Sequence, residues 1–337
     1  MAKKVLILGV NGFIGSHLLT AIMNRTDWEV YGLDLTSHKI EAHLNNPRFH
    51  FKHADLRSES EWVKHMIQVC DTVLPLVAIA NPQVYVDDPL RVYELDFEAN
   101  MPIIRWCAAF KKHLVFPSTS EVYGMSPDKA FDEYSSNLVL GPVTTPRWIY
   151  SCSKQLLDRV ILALNQRESF PFTLFRPFNW FGPGLDELGA HVTHRTRVVT
   201  QFMNRILRGE DLVLSDGGSQ MRSFTYIDDG IDALFNIIEN KDNCAHQEIF
   251  NIGNPNNQAS VATLAESILA IARTLPAIKP MADTVNIVSE PSAVVYGAGY
   301  QDVPCRVPSI ENARRKLGFE PKVSLQEGLE RTWAAAL

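Results

Sequence analysis

The sequence predicts an α/β chain: a doubly wound parallel sheet with a smaller, discontinuous second domain. Three observations carry this. Short apolar runs alternate with helix-like segments through the first half of the chain, as in a parallel sheet covered by helices on both faces. A glycine-rich turn, Gly9-Val-Asn-Gly12-Phe-Ile-Gly15, follows the first apolar run directly. After Phe172–Pro177 the composition shifts toward loops rich in Gly, Pro and charge.

Taken in order, Val5–Leu8 reads as a buried strand and Ile14–Asn24 as a helix opening on the glycine turn. Glu29–Asp34 and Phe49–His53 read as the next strands, with a helix over Glu59–Val69. Thr72–Ala78 is strand-like, Arg91–Ala109 reads as one long helix and Leu114–Phe116 as a strand. These strands are near-continuously apolar, which fits burial on both sides. One amphipathic helix is expected near Val198–Arg208. Phe224–Asp229 and Glu248–Ile252 look like returns to the main sheet, and helices follow at Val261–Arg273 and Ile310–Leu317. The expected division places residues 1–178 with about 223–253 in the sheet domain. About 179–222 with 254–337 form the second domain, packed over the carboxyl edge of the sheet.

With 337 residues, the chain can bury a sizeable core without staples. Hydrophobic content of 46% and charged content of 21% are ordinary for a globular protein. The net charge is −6 and there is no basic tract, which argues against nucleic-acid or membrane-surface partners. The cysteines are Cys70, Cys107, Cys152, Cys244 and Cys305; none has C-x-x-C spacing. An odd count without metal-ligand spacing favours a reducing compartment, and the start shows no signal peptide, so a cytoplasmic location is expected. His191 and His194 lie in a polar loop without a carboxylate to complete a metal set, so no metal is expected. Trp106 and Trp148 are expected to serve packing.

The glycine turn carries the first chemical expectation. The first glycine allows the tight turn, the second lets backbone approach a pyrophosphate, and the third permits close helix–strand packing. The helix N-terminus beyond it offers free N–H groups to phosphates. Asp34 ends the second strand, 19 residues past Gly15. A carboxylate there accepts bonds from a ribose 2′-hydroxyl and repels a 2′-phosphate, so NAD is favoured over NADP. Asp55, after the third strand, is a candidate for the adenine end.

Tyr150 and Lys154 are spaced to share one helix face. An ammonium beside a phenol lowers its pKa, which would let Tyr150 take a proton from a substrate hydroxyl as hydride leaves. Thr119 and Ser120 follow a strand and should project at the sheet's carboxyl edge, where ligands bind in open α/β sheets. A hydroxyl there can polarise the reacting oxygen.

With these residues in this order, the chain resembles the extended short-chain dehydrogenase/reductase family of nucleotide-sugar epimerases, dehydratases and decarboxylases. The resemblance spans the glycine turn, Asp34, Thr119-Ser120, Tyr150/Lys154, Arg176-Pro-Phe-Asn179 and Arg222–Ile227. Leu6–Gly15, Val73–Ala80, Phe116–Gly124, Pro146–Tyr150, Phe178–Trp180 and Gly299–Val303 are similar to the UDP-glucuronic acid decarboxylase domain of the bifunctional enzymes of aminoarabinose synthesis. There a formyltransferase domain precedes the decarboxylase; this sequence starts at the first strand, so formyl transfer is not expected. The resemblance implies a Rossmann-type fold, NAD as cofactor, a UDP-sugar substrate and a homodimer or higher homo-oligomer. It implies cofactor contacts at Gly9, Asn11, Gly12, Phe13, Ile14, Gly15, Asp34, Asp55, Leu56, Leu76, Ala78, Tyr150 and Lys154. It implies catalytic roles for Thr119, Ser120, Glu121, Tyr150, Lys154 and Arg222, and substrate contacts at Asn179, Arg222, Tyr300 and Arg306.

The implied reaction is oxidation at C4 of UDP-glucuronic acid, loss of CO2 from the resulting β-keto acid, and release of UDP-4-keto-pentose or its reduction to UDP-xylose. Glu121 is expected to orient the carboxyl end and help expel CO2. Arg222 is expected to hold that carboxylate or return the proton, and Arg306 to meet the UDP phosphates. Two other readings stay open: a UDP-sugar 4-epimerase or 4,6-dehydratase, and a non-catalytic NAD-sensing regulator.

Overall fold

In the computed structural model, which describes residues 2–192, 196–296 and 301–337, apolar runs near the start become buried strands. The strands are β1 (Lys4–Leu8), β2 (Glu29–Asp34), β3 (Phe49–His53), β4 (Thr72–Pro75), β5 (His113–Pro117), β6 (Phe172–Pro177), β7 (Trp180–Phe181), β8 (Leu212–Ser215), β9 (Met221–Ser223), β10 (Thr225–Tyr226), β11 (Glu248–Ile252), β12 (Gln258–Ser260), β13 (Ile287–Glu290) and β14 (Cys305–Arg306). Seven of them form one parallel sheet in the order β11-β6-β5-β4-β1-β2-β3. The order reverses at β1, between β2 and β4, where a crevice opens beyond the carboxyl ends of the strands.

The helices are α1 (Phe13–Arg25), α2 (Ser60–Val69), α3 (Pro82–Asp87), α4 (Pro89–Tyr93), α5 (Asn100–Phe110), α6 (Trp148–Glu168), α7 (Val198–Leu207), α8 (Ile227–Glu239), α9 (Val261–Ala272), α10 (Lys279–Ala282), α11 (Ser292–Tyr296), α12 (Glu311–Leu317) and α13 (Leu325–Ala334). On one face of the sheet α1 and α8 pack together over Val5, Ile7 and Phe250. On the other, α2, α5 and α6 cover Leu6, Leu8, Phe116 and Leu174. These two apolar layers are what the continuous hydrophobic strands require, and they establish the Rossmann-like α/β class.

The remaining strands form small sheets that join the middle of the chain to its tail. β7 pairs with β10, β8 with β13, and β9 lies between antiparallel β12 and parallel β14. The β9–β14 register sets Arg222 opposite Arg306.

Several expectations are corrected. The strand expected over Thr72–Ala78 stops at Pro75, because the chain leaves the sheet there and the Ile79 N–H is captured by Asp96 Oδ1 at 2.9 Å. The single helix expected over Arg91–Ala109 is α4, a π-helical turn at Glu94–Glu98 and α5; the π turn drops Asp96 into the interior. Phe224–Asp229 does not return to the main sheet. Thr225–Tyr226 pairs with β7, and Asp228 and Asp229 begin α8, where their charge suits the helix N-terminus. Helix α13, unanticipated from the sequence, is capped by Ser324, which accepts from the Glu327 N–H. Among the described residues no helix is long and apolar enough to cross a membrane.

Candidate active site

The glycine turn needs glycine for specific reasons. Gly9 has a φ of 88°, in the left-handed region, and donates to Leu33 O at 2.8 Å. A Cβ on Gly15 would meet Gly9 O at 2.4 Å and Val10 Cα at 2.8 Å, so α1 packs closer to the turn than any side chain allows. Gly12 caps α1, leaving the N–H groups of Phe13 and Ile14 in the first turn. The Phe13 side chain itself is buried in the core. Asp34 Oδ2 accepts from the Asn11 N–H at 2.8 Å. The Asn11 side chain in turn accepts from the Lys39 N–H at 2.7 Å and donates to Thr36 Oγ1 at 2.6 Å.

Gly9, Gly12, Asp34, Asp55, Leu56, Leu76 and Ala78 line one cleft, together with Leu33, Arg57 and Arg91. The Asp55 carboxylate accepts from the Arg57 N–H at 2.9 Å and pairs with its guanidinium at 2.8 Å, the arrangement of a helix cap. The cleft fits NAD. A helix N-terminus faces it without side-chain obstruction, a carboxylate ends the second strand, and apolar walls come from Leu56 and Leu76.

Tyr150, Lys154 and Asp158 form one stripe on α6, at i, i+4 and i+8, and all three are buried. A polar network holds this helix to the sheet. Asp158 accepts from Ser118 Oγ at 2.8 Å and from Arg176 at 3.1 Å; Arg176 donates to the Tyr123 hydroxyl, which donates to Asn251 Oδ1 at 2.8 Å. Thr119 and Ser120 leave the carboxyl end of β5, and Thr119 is hydrogen-bonded to Tyr150. Tyr85 of α3 stacks on the Tyr150 ring at 4.7 Å with 10° between planes.

The expectation that Lys154 lowers the Tyr150 pKa is corrected. Burial pushes the phenol well up, Asp96 adds to this, and the Thr119 hydrogen bond opposes it. The Lys154 ammonium points to Pro117 O at 2.9 Å and lies 6.0 Å from the Tyr150 ring centre. Burial lowers the Lys154 pKa, against the fields of Asp96 and Asp158. Asp96, from the π turn, is itself pushed up to about 6 by burial despite that ammonium.

The basic residues are arranged differently from the expectation. Glu121 is buried and bridges two guanidiniums, Arg306 at 2.5 Å and Arg147 at 2.8 Å. Burial alone would raise its pKa; Arg306, Arg147 and the field of Arg222 outweigh this and hold the carboxyl at about 2. Glu121 is therefore neither a bare repelling charge nor a proton donor at neutral pH. Arg222, expected beside it, donates to Asp302 Oδ1 and Val303 O, each at 2.7 Å. Arg306, expected at the diphosphate, holds Glu121, because β14 adds to β9 in a register no local pattern reveals. Asn179 adopts a φ of 41° and donates to Ser223 O at 2.9 Å, so its amide closes a turn. Tyr300 and His194 lie outside the described residues. His191 Nε2 is 2.8 Å from Glu187.

Arg147, Tyr85 and Asp96 escaped the sequence reading. For Arg147 a signal existed: a cation directly before the helix that carries Tyr150 and Lys154. Tyr85 and Asp96 carried none.

The description NAD dependent epimerase/dehydratase family matches residues 5–253. The crystal structure of PbgP3 protein from Burkholderia pseudomallei is 50% identical, with a TM-score of 0.90, over 99% of this chain and 96% of that one. UDP-glucuronic acid 4-epimerase from Bacillus cereus, in complex with UDP-glucuronic acid and NAD, is 24% identical, with a TM-score of 0.79 over 99% and 98% of the two chains. dTDP-glucose 4,6-dehydratase from Bacillus anthracis strain Ames, in complex with NAD, is 19% identical, with a TM-score of 0.78 over 99% and 96%. The latter two share the fold with this chain. With a family match over most of its length and a relative identical at half its positions, this chain belongs to the NAD-dependent epimerase/dehydratase family of enzymes.

Proposed function

We propose that this enzyme is an NAD-dependent oxidative decarboxylase of UDP-glucuronic acid, yielding CO2 and UDP-4-keto-pentose, or UDP-xylose if the keto group is reduced again. The observation that carries the reading is the buried Arg306–Glu121 pair, with Glu121 two residues past Thr119, whose hydroxyl bonds Tyr150. Guanidiniums at the reacting end of a sugar site suit a substrate with a carboxylate on the ring.

In this reading, residues 1–178 with about 223–253 bind NAD and about 179–222 with 254–337 bind the nucleotide sugar. The first turn of α1 takes the cofactor diphosphate, Asp34 the adenosine ribose, and Lys154 the second ribose. When bound, NAD would supply the acceptor for the C4 hydride, and its positive charge would favour the Tyr150 phenolate, the form able to take a proton, against the burial that favours the phenol. Thr119 and Ser120 orient the C4 hydroxyl, and Tyr150 takes its proton as C4 is oxidised. The ketone so formed is β to the ring carboxylate. The C5–C6 bond then breaks, CO2 leaves, the electron pair moves into an enolate at the C4 oxygen, and a proton returns to C5. Arg306, steadied by Glu121, grips the departing carboxylate; this takes over the part expected of Arg222. A homo-oligomer accompanies this reading, and light scattering on the purified protein measures it.

The test is incubation with UDP-glucuronic acid and NAD, following CO2, NADH and the sugar product together. CO2 with matching NADH supports release of the keto-pentose; CO2 with little NADH supports UDP-xylose. A 4-epimerase of the same substrate would give UDP-galacturonic acid and no CO2, and that result would overturn the proposal.

A further inference from the structure

We propose that Arg147 is a positioning residue that frees Arg306 for the substrate, and that the buried charge cluster it completes selects sugar nucleotides whose ring carries a carboxylate. The proposal deepens the decarboxylase reading and rests on it for the identity of the site.

Arg147 stands immediately before α6, three residues ahead of Tyr150, and is 2% exposed. Its Nη2 donates to Glu121 Oε2 and its Nη1 to Gln301 O, both at 2.8 Å, and its Cζ lies 4.5 Å from the centre of the Trp148 ring. Arg306 takes the other Glu121 oxygen, Oε1. Each oxygen thus has its own guanidinium. Because Arg147 satisfies Oε2, Arg306 needs to spend only one of its five donors on Glu121. Its Nε is buried and has no hydrogen-bond partner among the described residues. A buried guanidinium donor without an acceptor is costly, and an incoming carboxylate supplies one.

Charge points the same way. Arg222 sits in register with Arg306 and is paired with Asp302. The cluster therefore sets the guanidiniums of Arg147, Arg222 and Arg306 against the carboxylates of Glu121 and Asp302, an excess of one positive charge. Arg147, Glu121, Arg222 and Arg306 are all buried. An uncompensated charge in such a place is unfavourable, so the site gains most from a ligand with one negative charge at that point. Neutral sugars bring none. Without Arg147 the excess vanishes, and Glu121 draws Arg306 onto both of its oxygens.

The experiment compares wild type, Arg147→Met and Arg147→Lys, each loaded with NADH so that C4 oxidation cannot proceed. Calorimetry then measures binding of UDP-glucuronic acid and of UDP-glucose. Wild type is expected to prefer the acid by about tenfold, the order of one charge-assisted contact. Arg147→Met is expected to abolish that preference while keeping its affinity for UDP-glucose and NADH, and Arg147→Lys to restore much of it. Equal weakening of both sugars in Arg147→Met, an unchanged preference, or no preference in wild type would overturn the proposal. A preference that depends on Arg147, in an enzyme that releases no CO2, would uphold this inference and refute the decarboxylase reading instead.

Discussion

Replacing Glu121 by glutamine keeps the side-chain shape and removes a charge shared by two buried guanidiniums. Burial works to raise the Glu121 pKa, yet Arg306 and Arg147 hold it at about 2, against an ordinary 4.5. At about 1.36 kcal/mol per pH unit, that drop corresponds to about 3 kcal/mol of folding stability. The same order, about 3–5 kcal/mol, is expected when one partner of a buried ion pair is removed. Because the folded carboxyl titrates below the unfolded one, the contribution is complete above about pH 4.5 and is lost as pH falls toward 2. Urea denaturation of wild type and Glu121→Gln across this range measures it. The variant should be less stable by about 3 kcal/mol near neutrality, with the gap constant down to mildly acidic pH and closing below it. Equal stabilities at neutral pH, or a gap that does not close in acid, would refute the claim that Glu121 is a buried anion held by two arginines.

Gly15→Ala would press a methyl into Gly9 O at 2.4 Å; about 1–3 kcal/mol of stability should be lost, with weaker NAD binding, and an unchanged melting temperature would contradict the packing argument. Tyr150→Phe should lower turnover by about 10²–10⁴-fold while NAD titration stays normal, since only the proton-transfer hydroxyl is removed. Asp34→Ala releases the Asn11 N–H and should cut NAD affinity by about tenfold or more. It should also narrow the preference over NADP; a preserved preference would count against the ribose role.

Much of the fold was legible because its determinants are local. β2, β3 and β11 have the expected limits, since each is a short run carrying β-branched or aromatic residues. The glycine turn was legible because Gly9 and Gly15 meet backbone constraints that no side chain tolerates. Helix α8 was misread because Phe224-Thr-Tyr-Ile227 looks extended; the signal overlooked was the acidic pair Asp228-Asp229 in its first turn. The candidate site divides the same way. The spacing of Tyr150 and Lys154 gave their shared face, but not the direction of the ammonium, which Pro117 O captures. The Arg306–Glu121 contact spans 185 positions of sequence. Arg306 stands at Glu121, where Arg222 was expected, and it is brought there by the pairing of β14 with β9, which tertiary structure alone sets. Arg147 could be seen as a charge before a helix, yet its partner lies in another element.

The central claim is that oxidation at C4 precedes and enables loss of the carboxyl group at one site. The most direct measurement is a single turnover of the NAD-loaded enzyme with UDP-glucuronic acid carrying deuterium at C4, following CO2. The account predicts that CO2 appears more slowly than from the unlabelled substrate, and about 10²–10⁴-fold more slowly with Tyr150→Phe. CO2 release indifferent to the label, or none from either substrate, would contradict it.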